Sequence, residues 1–485
     1  MVRHTRKQKG AAYIGQGSFG CTFRPALACE GNGPRAANSI SKLMQEGQAD
    51  KEYQLHDIFV GIDPTQKHFI YPRRMCRPDV TRIRVSNRIS QCDLMKGNSD
   101  PSLAQPVRRT FHRNLHNAKI IEYPDGGTDL LRFQMKTNLV YQYFKGFENL
   151  LEGLVILHEA GYAHLDIKHE NITVKVSDPN ASRRRTLHMR FIDYGFLSNG
   201  TTLYGNFHPS TFERMYFVWP FDFLFLGIRT LADEQKVRDP ANLVRYINRY
   251  GENMLQSYPP PNLPDSIVEE LDTISNAKII EIFEAFKQLK EQGKCSPPKP
   301  FGEREDCGFF GIDERGCSER GCCWDPHPDP NPESTPYCYR PPPEATYQKA
   351  FLEKYLSTVD IYSLGMLMGC EFIRQLQLIK RSPVYIEFLG GAPTFEDAAW
   401  IDELKRDIAM PFFALIEKMI KMDFRERISA AAALEEYRLI LPAMERLLTR
   451  EKIERYFILY STMDPTDGGG KKKTRKRKYR SSNRR

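Results

Sequence analysis

The sequence predicts an α+β protein with a small cysteine-rich domain inserted into its second half. Short strand-like runs and a glycine-rich turn lie within the first 45 residues. Helical apolar spacing follows, most clearly at 138–161, where a glycine ends the pattern. Six of the eleven cysteines fall within 295–338. A chain of 485 residues is long enough for several structural units of this kind.

The positive charge of the chain is concentrated at its C-terminal end. The net charge is +9, and the segment 471–485 holds ten Lys or Arg residues and no acid. Without that segment, 60 basic residues stand against 61 acidic ones, a balance of −1. This pattern predicts a disordered basic tail, which we place at 463–485. Such a tail is a candidate for non-specific nucleic-acid binding or for nuclear localisation.

The sequence predicts no transmembrane segment. The first 17 residues are basic but contain no apolar run, so we expect no secretory signal there. The longest apolar stretch, IYSLGMLMGCEFI at 361–373, is too short to cross a bilayer.

A glycine-rich turn near the N-terminus indicates a phosphate site. In YIGQGSFGCTF, the glycines allow backbone N–H groups to approach phosphate oxygens without a side-chain clash. A dinucleotide-binding fold would need a helix directly after this turn, but the run SISKLM at 39–44 predicts a strand. The residues of the turn are Gly15, Gly17, Ser18, Phe19 and Gly20.

A lysine and a glutamate follow the turn. Lys42 lies in the predicted strand, and Glu52 lies in ADKEYQLHDIFVGI, whose apolar spacing predicts a helix. A glutamate on a helix can orient a lysine so that its ammonium group holds the α- and β-phosphates of a nucleotide. Alone, such a pair is more typical of a solvated salt bridge, so this interpretation depends on the motifs that follow.

A loop after the helix at 138–161 carries three polar groups suited to phosphate transfer. HLDIKHEN places Asp166, Lys168 and Asn171 close together, ahead of a predicted strand, ITVKV. A carboxylate can accept the proton of an attacking hydroxyl, an ammonium group can neutralise a phosphate, and an amide can ligate a metal. Asp193 ends a later strand, before Tyr194 and a glycine, where a carboxylate is well placed to bind Mg²⁺.

These motifs, in this order, resemble those of eukaryotic-type serine/threonine protein kinases, in a divergent form similar to kinases of large DNA viruses. The resemblance implies a bilobal fold that binds ATP and Mg²⁺ and phosphorylates serine or threonine hydroxyls of a protein substrate. By position, Asp166 corresponds to the catalytic base and Lys168 to the residue that supports the γ-phosphate. Asn171 and Asp193 correspond to the Mg²⁺ ligands.

The resemblance also implies where adenine binds. In AKIIEYPDGGTDL, Ile121 corresponds to the gatekeeper, and Glu122 offers a backbone carbonyl to the adenine amino group. Pro124 stands where the family offers a backbone N–H to the ring. Because proline has no N–H, we expect one hydrogen bond to be missing, worth about 0.5–1.5 kcal/mol.

Two departures from the kinase pattern concern the activation segment. Leu165 replaces the arginine that normally pairs with a phosphorylated activation loop, so we expect no control by such phosphorylation. The A-P-E motif is missing, and we expect VWPFD at 218–222 to replace it, with Asp222 paired to Arg427. HPSTFE at 208–213 is the alternative.

The six clustered cysteines are spaced C-x11-C-x9-C-x4-C-C-x14-C. A zinc site is the alternative to disulfides, but adjacent cysteines point apart and suit tetrahedral ligation badly. Spacing alone leaves fifteen disulfide pairings open. About 45 residues rich in Pro and Gly need covalent links, because they cannot bury enough apolar surface. The motifs DCGFFGI and GCCWD and the final YCY resemble a P-type trefoil domain.

The trefoil resemblance implies three disulfides and a ligand class. It pairs Cys295 with Cys323, Cys307 with Cys322, and Cys317 with Cys338. It also implies recognition of a glycan or glycoprotein. We expect the scattered cysteines to be buried thiols that pack as small apolar residues. They are Cys21, Cys29, Cys76, Cys92 and Cys370.

The domain organisation follows from these motifs. We expect the kinase-like part to be interrupted by a helical insertion and then by the trefoil domain. The boundaries are 1–124 for the N-lobe, 125–231 and 344–462 for the two parts of the C-lobe, 232–290 for the helical insertion, 291–343 for the trefoil domain and 463–485 for the tail.

The sequence therefore favours a protein serine/threonine kinase whose trefoil domain serves recognition or targeting. The alternative is a catalytically weak pseudokinase scaffold that presents the trefoil domain and a tail that binds nucleic acid. Disulfides form in oxidising compartments, whereas kinases usually act in reducing ones. Oxidation during virion assembly in the host cytoplasm is a hypothesis that reconciles the two, and the tail suggests the nucleus as another location.

Overall fold

The protein has a mixed helix and sheet structure with a disulfide-rich part at 304–340, which we call the trefoil region because the sequence predicts a trefoil domain there. It is described by a computed structural model. The described residues are 11–17, 20–31, 38–81, 83, 92, 115–135, 139–177, 186–199, 219–227, 276–295, 304–308, 312–320, 322–325, 337–340, 351–380 and 395–449.

An antiparallel five-stranded sheet forms the N-terminal part of the described chain, and we call 11–135 the sheet region. The strands lie in the order β1-β2-β3-β5-β4. Two short helices follow β3, and the second packs its apolar face against the core through Phe59. The elements are β1 (Ala12–Gly17), β2 (Gly20–Arg24), β3 (Ser39–Gln45), α1 (Glu46–Tyr53), α2 (Leu55–Ile62), β4 (Arg74–Cys76) and β5 (Ala118–Pro124).

The next described segments form a short sheet beside a long helix. The sheet has the order β6-β7-β8, with β6 (Thr128–Asp129), β7 (Ile172–Val176) and β8 (Leu187–Phe191). Helix α3 (Val140–Glu159) precedes β7. The predicted helix at 138–161 is thus confirmed. Gly161 follows its end with φ +81°, a conformation that glycine adopts without a steric penalty.

Among the described residues, five further helices form the main apolar core with α3, and two of them, Ser357–Lys380 and Ala430–Leu447, pack directly on it. Together with α3 we call them the helical region. Ser429 caps the last of them, because its Oγ accepts the N–H of Ala432 at 3.2 Å. These helices are α4 (Asn276–Cys295), α6 (Ser357–Lys380), α7 (Phe395–Leu404), α8 (Met410–Met419) and α9 (Ala430–Leu447). Their buried residues join those of α3 in one large cluster.

The trefoil region lies between α4 and α6 in the sequence. It contains helix α5 (Glu314–Glu319) and a two-stranded sheet of β9 (Cys323–Trp324) and β10 (Cys338–Tyr339). Its apolar cluster consists of little more than cysteines and two larger side chains, Ile312 and Trp324.

Four of the five scattered cysteines form disulfides, which corrects the expectation that they are free thiols. Cys21 pairs with Cys92 and Cys29 with Cys76, both within the sheet region. The partners are 71 and 47 residues apart in sequence, so only the folded sheet brings them together. Cys370 is free and buried, as expected.

Several predictions lie outside the described residues. These are the part of the predicted helical insertion at 232–275, the segment 208–213 and the basic tail at 463–485. The remainder of the insertion, 276–290, is described, is helical as predicted, and forms most of α4. Within the described ranges, no helix is long and apolar enough to cross a membrane.

Candidate active site

The predicted lysine–glutamate pair is present in the sheet region. Nζ of Lys42, on β3, lies 2.9 and 2.8 Å from the two carboxylate oxygens of Glu52, on α1. The side chains are 16% and 21% exposed, so water screens the pair only partly. The hydroxyl of Tyr123, on β5, donates a hydrogen bond to Oε1 of the same glutamate. The lysine is therefore held by a carboxylate that is itself held from the sheet.

The glycine-rich turn lies between the end of β1 and the start of β2, where Gly17 pairs with Gly20. A Cβ atom added to Gly20 would lie 2.7 Å from the carbonyl oxygen of Leu43, so close packing on β3 requires glycine there. A Cβ atom on Gly15 would contact nothing within 4 Å. No close packing within the described part of the protein therefore requires glycine at position 15, and the surface of the sheet is open there. Gly17 ends β1, whereas Ser18 and Phe19 lie outside the described residues.

The loop between α3 and β7 brings together its three predicted polar groups. Nζ of Lys168 donates to both carboxylate oxygens of Asp166 at 2.9 Å. Nδ2 of Asn171 donates to Oδ2 of the same aspartate at 2.7 Å and to its backbone carbonyl at 2.8 Å. The aspartate and asparagine are each 4% exposed. The carboxylate is therefore fixed in one orientation by an ammonium group and an amide.

The environment of Asp166 raises the pKa of its carboxyl group. Burial is the largest cause, because it disfavours the charged form, and the nearby negative charge of Asp193 acts in the same direction. The ammonium group of Lys168 opposes this increase. A carboxylate with a raised pKa is a better proton acceptor near neutral pH than an ordinary surface aspartate.

The residue before Asp193 contacts both the sheet region and the loop that carries Asp166. This residue, Ile192, packs in the apolar cluster that contains Tyr123 and donates its N–H to the backbone carbonyl of Asn171 at 2.9 Å. Asp193 itself follows β8, is exposed, and has φ +62°. Its charge contributes to the raised pKa of Tyr123 and to that of Asp166, although burial is the largest cause in both. Tyr194, the next residue, is buried against Phe59 with ring centroids 4.2 Å apart. The negative charge of Asp193 thus affects both groups of polar residues, through Tyr123 in one and Asp166 in the other.

The oxygen atoms in this area fit Mg²⁺. Both hydrogen bonds of the Asn171 amide use Nδ2, which leaves its Oδ1 available. The exposed carboxylate of Asp193 supplies further oxygens, the ligand type that Mg²⁺ prefers. Asn171 and Asp193 are therefore the residues that could hold the ion. For the nucleotide, the open space over Gly15 and the ammonium group of Lys42 are suited to phosphate oxygens.

Strand β5 orients its residues differently from the sequence-based expectation. The backbone carbonyl of Glu122 accepts the N–H of Arg73 at 2.8 Å, and its carboxylate pairs with Arg74 at 2.6 Å. Both groups are thus engaged beside β4 rather than free for adenine. Ile121 is fully buried, and Tyr123 reaches Glu52. The assignment of Ile121 and Glu122 to an adenine site stays a prediction.

The segment that follows the site is anchored by a buried ion pair. Asp222, in a 3₁₀ turn at Phe221–Gly227, lies 2.5 Å from a guanidinium nitrogen of Arg427, and neither side chain is exposed. This pairing confirms the contact predicted for 218–222. Trp219, a residue that the sequence did not single out, donates from Nε1 to the backbone carbonyl of Leu165 at 2.8 Å. Leu165 itself is fully buried, unlike an arginine that binds a phosphate.

The trefoil region contains the predicted disulfides at the described positions. Cys307 pairs with Cys322, and Cys317 pairs with Cys338. Cys323 is also disulfide-bonded, whereas the side chain of Cys295 lies outside the described residues. Among the described residues, no three or more His, Cys, Asp or Glu side chains are grouped so that they could hold a metal ion by themselves.

An arginine links the two strands of the trefoil region. The guanidinium group of Arg304 hydrogen-bonds to the carboxylate of Asp325 and lies 4.4 Å from the centroid of the Tyr339 ring. Trp324 packs edge-on against Tyr337, with centroids 5.9 Å apart. The region thus presents a half-buried tryptophan next to an ordered carboxylate.

Comparison with known proteins identifies one part of the chain. Residues 295–341 match the family model of the trefoil (P-type) domain. The chain therefore contains a trefoil domain at these residues. No curated protein matches the chain.

Proposed function

We propose that this protein is an ATP-dependent protein serine/threonine kinase that carries a trefoil domain for recognition. The observation that carries the proposal is the position of Asp193. Ile192, the residue directly before it, packs in the apolar cluster that contains Tyr123, whose hydroxyl holds Glu52. The N–H of Ile192 also donates to the backbone carbonyl of Asn171 at 2.9 Å, so the chain at Asp193 adjoins both groups of polar residues. A phosphate-binding lysine and a proton acceptor would thus share one cleft.

The chemistry assigned to this cleft is transfer of the γ-phosphoryl group of ATP to a hydroxyl of a protein. The hydroxyl oxygen forms a bond to phosphorus, the bond from phosphorus to the bridging oxygen breaks, and ADP leaves. Asp166 accepts the hydroxyl proton, while Lys168 offsets the negative charge on the transferred group. Lys42 holds the α- and β-phosphates. Asn171 and Asp193 would hold Mg²⁺, which would supply positive charge to offset that of the ATP phosphates.

The trefoil domain supplies recognition in this proposal. Trp324 offers an aromatic surface, and Asp325, fixed by Arg304, offers an ordered acceptor for hydroxyl groups. Aromatic faces beside fixed carboxylates suit carbohydrate, so we assign the domain a glycan or glycoprotein ligand.

The test is phosphate transfer from labelled ATP, with Mg²⁺, to a generic basic protein. Asp166→Asn should lower kcat by about 10²–10⁴-fold because it removes the proton acceptor. Asp193→Ala should abolish transfer, because it removes the carboxylate that would hold Mg²⁺. Asp57→Asn, which changes one exposed carboxylate on α2, is the control and should retain full activity.

Phosphoserine or phosphothreonine made by the wild type but not by the two site variants would support the kinase assignment. A folded wild type as inactive as these variants, with no ATP-dependent rise in melting temperature, would overturn it in favour of a pseudokinase scaffold.

A further inference from the structure

The loop that carries Asp166 is attached to helix α6 at two points. At its start, the carboxylate of Asp360 accepts the backbone N–H groups of His164 and Leu165, each at 2.7 Å. At its end, Oε1 of Glu371 accepts a hydrogen bond from Nε2 of His169 at 2.9 Å. The two carboxylates are eleven residues apart on the helix, or about 16 Å. One helix thus fixes both ends of the loop.

The second attachment is a buried triad. Glu371 and His169 are 2% and 1% exposed, and Tyr143, on α3, is fully buried. The hydroxyl of Tyr143 donates to Oε2 of Glu371. Both carboxylate oxygens therefore have partners, as a buried carboxylate requires, since an unpaired one is strongly unfavourable. The triad joins α3, α6 and the loop.

His169 connects the triad to the polar groups of the loop, because it lies between Lys168 and Asn171 in the sequence. The residue directly follows Lys168 and begins the 3₁₀ turn His169–Asn171. The N–H of Asn171 donates to the carbonyl of Lys168 at 2.9 Å, which closes the backbone around the histidine. Because Lys168 and Asn171 both hold the carboxylate of Asp166, a shift of His169 would move all three groups.

We propose that the triad of His169, Glu371 and Tyr143 positions the loop for phosphate transfer. The inference rests on the proposed kinase function. These residues are buried and act through Lys168 and Asn171, so they are positioning residues rather than catalytic ones. Displacing reacting groups by about 1 Å can lower a rate by about 100-fold, so loss of the triad should reduce kcat more than it alters KM.

Two substitutions test the triad with matched controls. Tyr143→Phe removes one buried hydroxyl from it. Tyr437→Phe is the control, because Tyr437 is equally buried and its hydroxyl donates to the backbone carbonyl of the neighbouring Phe144 at 2.7 Å. His169→Leu removes the donor to Glu371, whereas His169→Gln retains an N–H at a similar position.

The measurements are kcat, KM for ATP, melting temperature and amide hydrogen exchange of a peptide covering 164–172. We expect Tyr143→Phe to lower kcat about tenfold and His169→Leu about 10–100-fold, with KM within twofold. His169→Gln should restore most of kcat. Tyr437→Phe should lower the melting temperature as much as Tyr143→Phe while retaining kcat. Exchange at 164–172 should accelerate in Tyr143→Phe and His169→Leu alone.

Equal effects of Tyr143→Phe and Tyr437→Phe on kcat, or unchanged exchange at 164–172, would overturn the positioning role. If the wild type transfers no phosphate, that result overturns the proposed kinase function but not the role of the triad in holding the loop. The exchange measurement then still decides whether the triad holds the loop.

Discussion

The sheet region and the helical region are stabilised in different ways. The sheet region has two small apolar clusters and two disulfides, Cys21–Cys92 and Cys29–Cys76. The helical region has one large apolar cluster, and among its described residues Cys370 is a free thiol. A small core buries less apolar surface per residue, so covalent links contribute more where the core is small. The trefoil region, whose cluster is smaller still, follows the same pattern.

The difference matters for the candidate site because its parts come from both regions. Lys42 and Glu52 belong to the disulfide-linked sheet region. Asp166 and Asn171 lie in a loop that the large apolar core supports. Conditions that break disulfides should therefore displace Lys42 and Glu52 before they displace Asp166 and Asn171.

The strongest test of this comparison removes both sheet disulfides. Closing loops of 71 and 47 residues stabilises a fold by about 4 kcal/mol each, so replacing all four cysteines by alanine should cost about 8 kcal/mol. That loss is comparable to the whole stability of a domain, so the sheet region should unfold. Urea unfolding followed by hydrogen exchange of β2 and β3 peptides measures the effect.

The trefoil disulfide provides the control for that experiment. Replacing Cys317 and Cys338 by alanine should unfold the trefoil domain and leave exchange in β2 and β3 unchanged. If the four-alanine variant of the sheet region unfolds at the same urea concentration as the wild type, the covalent links are not what stabilises that region.

An effect of intermediate size concerns acid stability in the helical region. Burial alone would raise the pKa of Asp423, but hydrogen bonds from Arg425 and Lys278 lower it to about 2. Because the folded pKa is below the unfolded value of 3.8, the stabilisation is present above pH 4 and is lost as the pH falls towards 2. The shift corresponds to about 2 kcal/mol.

Asp423→Asn should therefore lower the free energy of unfolding by about 2 kcal/mol at pH 7 and by almost nothing near pH 2. Urea titrations of both proteins between pH 2 and 7 measure this difference. A loss that is independent of pH would indicate that packing, not the ionised carboxylate, accounts for the contribution of this residue.

The smallest effect is expected at the free thiol. Burial raises the pKa of Cys370 to about 12, with a further increase from the adjacent charge of Glu371. Cys370→Ala should cost only about 1 kcal/mol, because it removes one buried sulfur from a large core that can adjust. The variant should respond to dithiothreitol in the same way as the wild type. A protein made insensitive to reductant by this change would place the redox-sensitive group in the helical region.

The sequence predicted those features that depend on local patterns or short motifs. The periodicity at 138–161 identified α3, and the motif order identified the Lys42–Glu52 contact. The Asp222–Arg427 pair was also predictable, because the kinase resemblance pairs Arg427 with a carboxylate in place of the A-P-E motif and the segment 218–222 contains one, Asp222.

Contacts between distant residues without a motif were not predictable. The two sheet disulfides join cysteines with no distinctive spacing, so they looked like isolated thiols. Tyr123 and Glu52 are 71 residues apart, and His169 and Glu371 are 202 apart. Each of these contacts depends on strand register or helix rotation, which a single sequence determines only weakly.

The high pKa of Cys370 has a consequence for how the protein acquires its covalent structure. At pH 7, a thiol with a pKa of about 12 is ionised in only about one molecule in 10⁵, and only a thiolate attacks a disulfide. The folded chain therefore has no described internal nucleophile that could exchange one pairing for another. Cys370 can therefore repair a mispaired molecule only before the core buries it, and after that an external thiol or isomerase is needed. The yield of correctly folded protein should thus depend on redox conditions during folding.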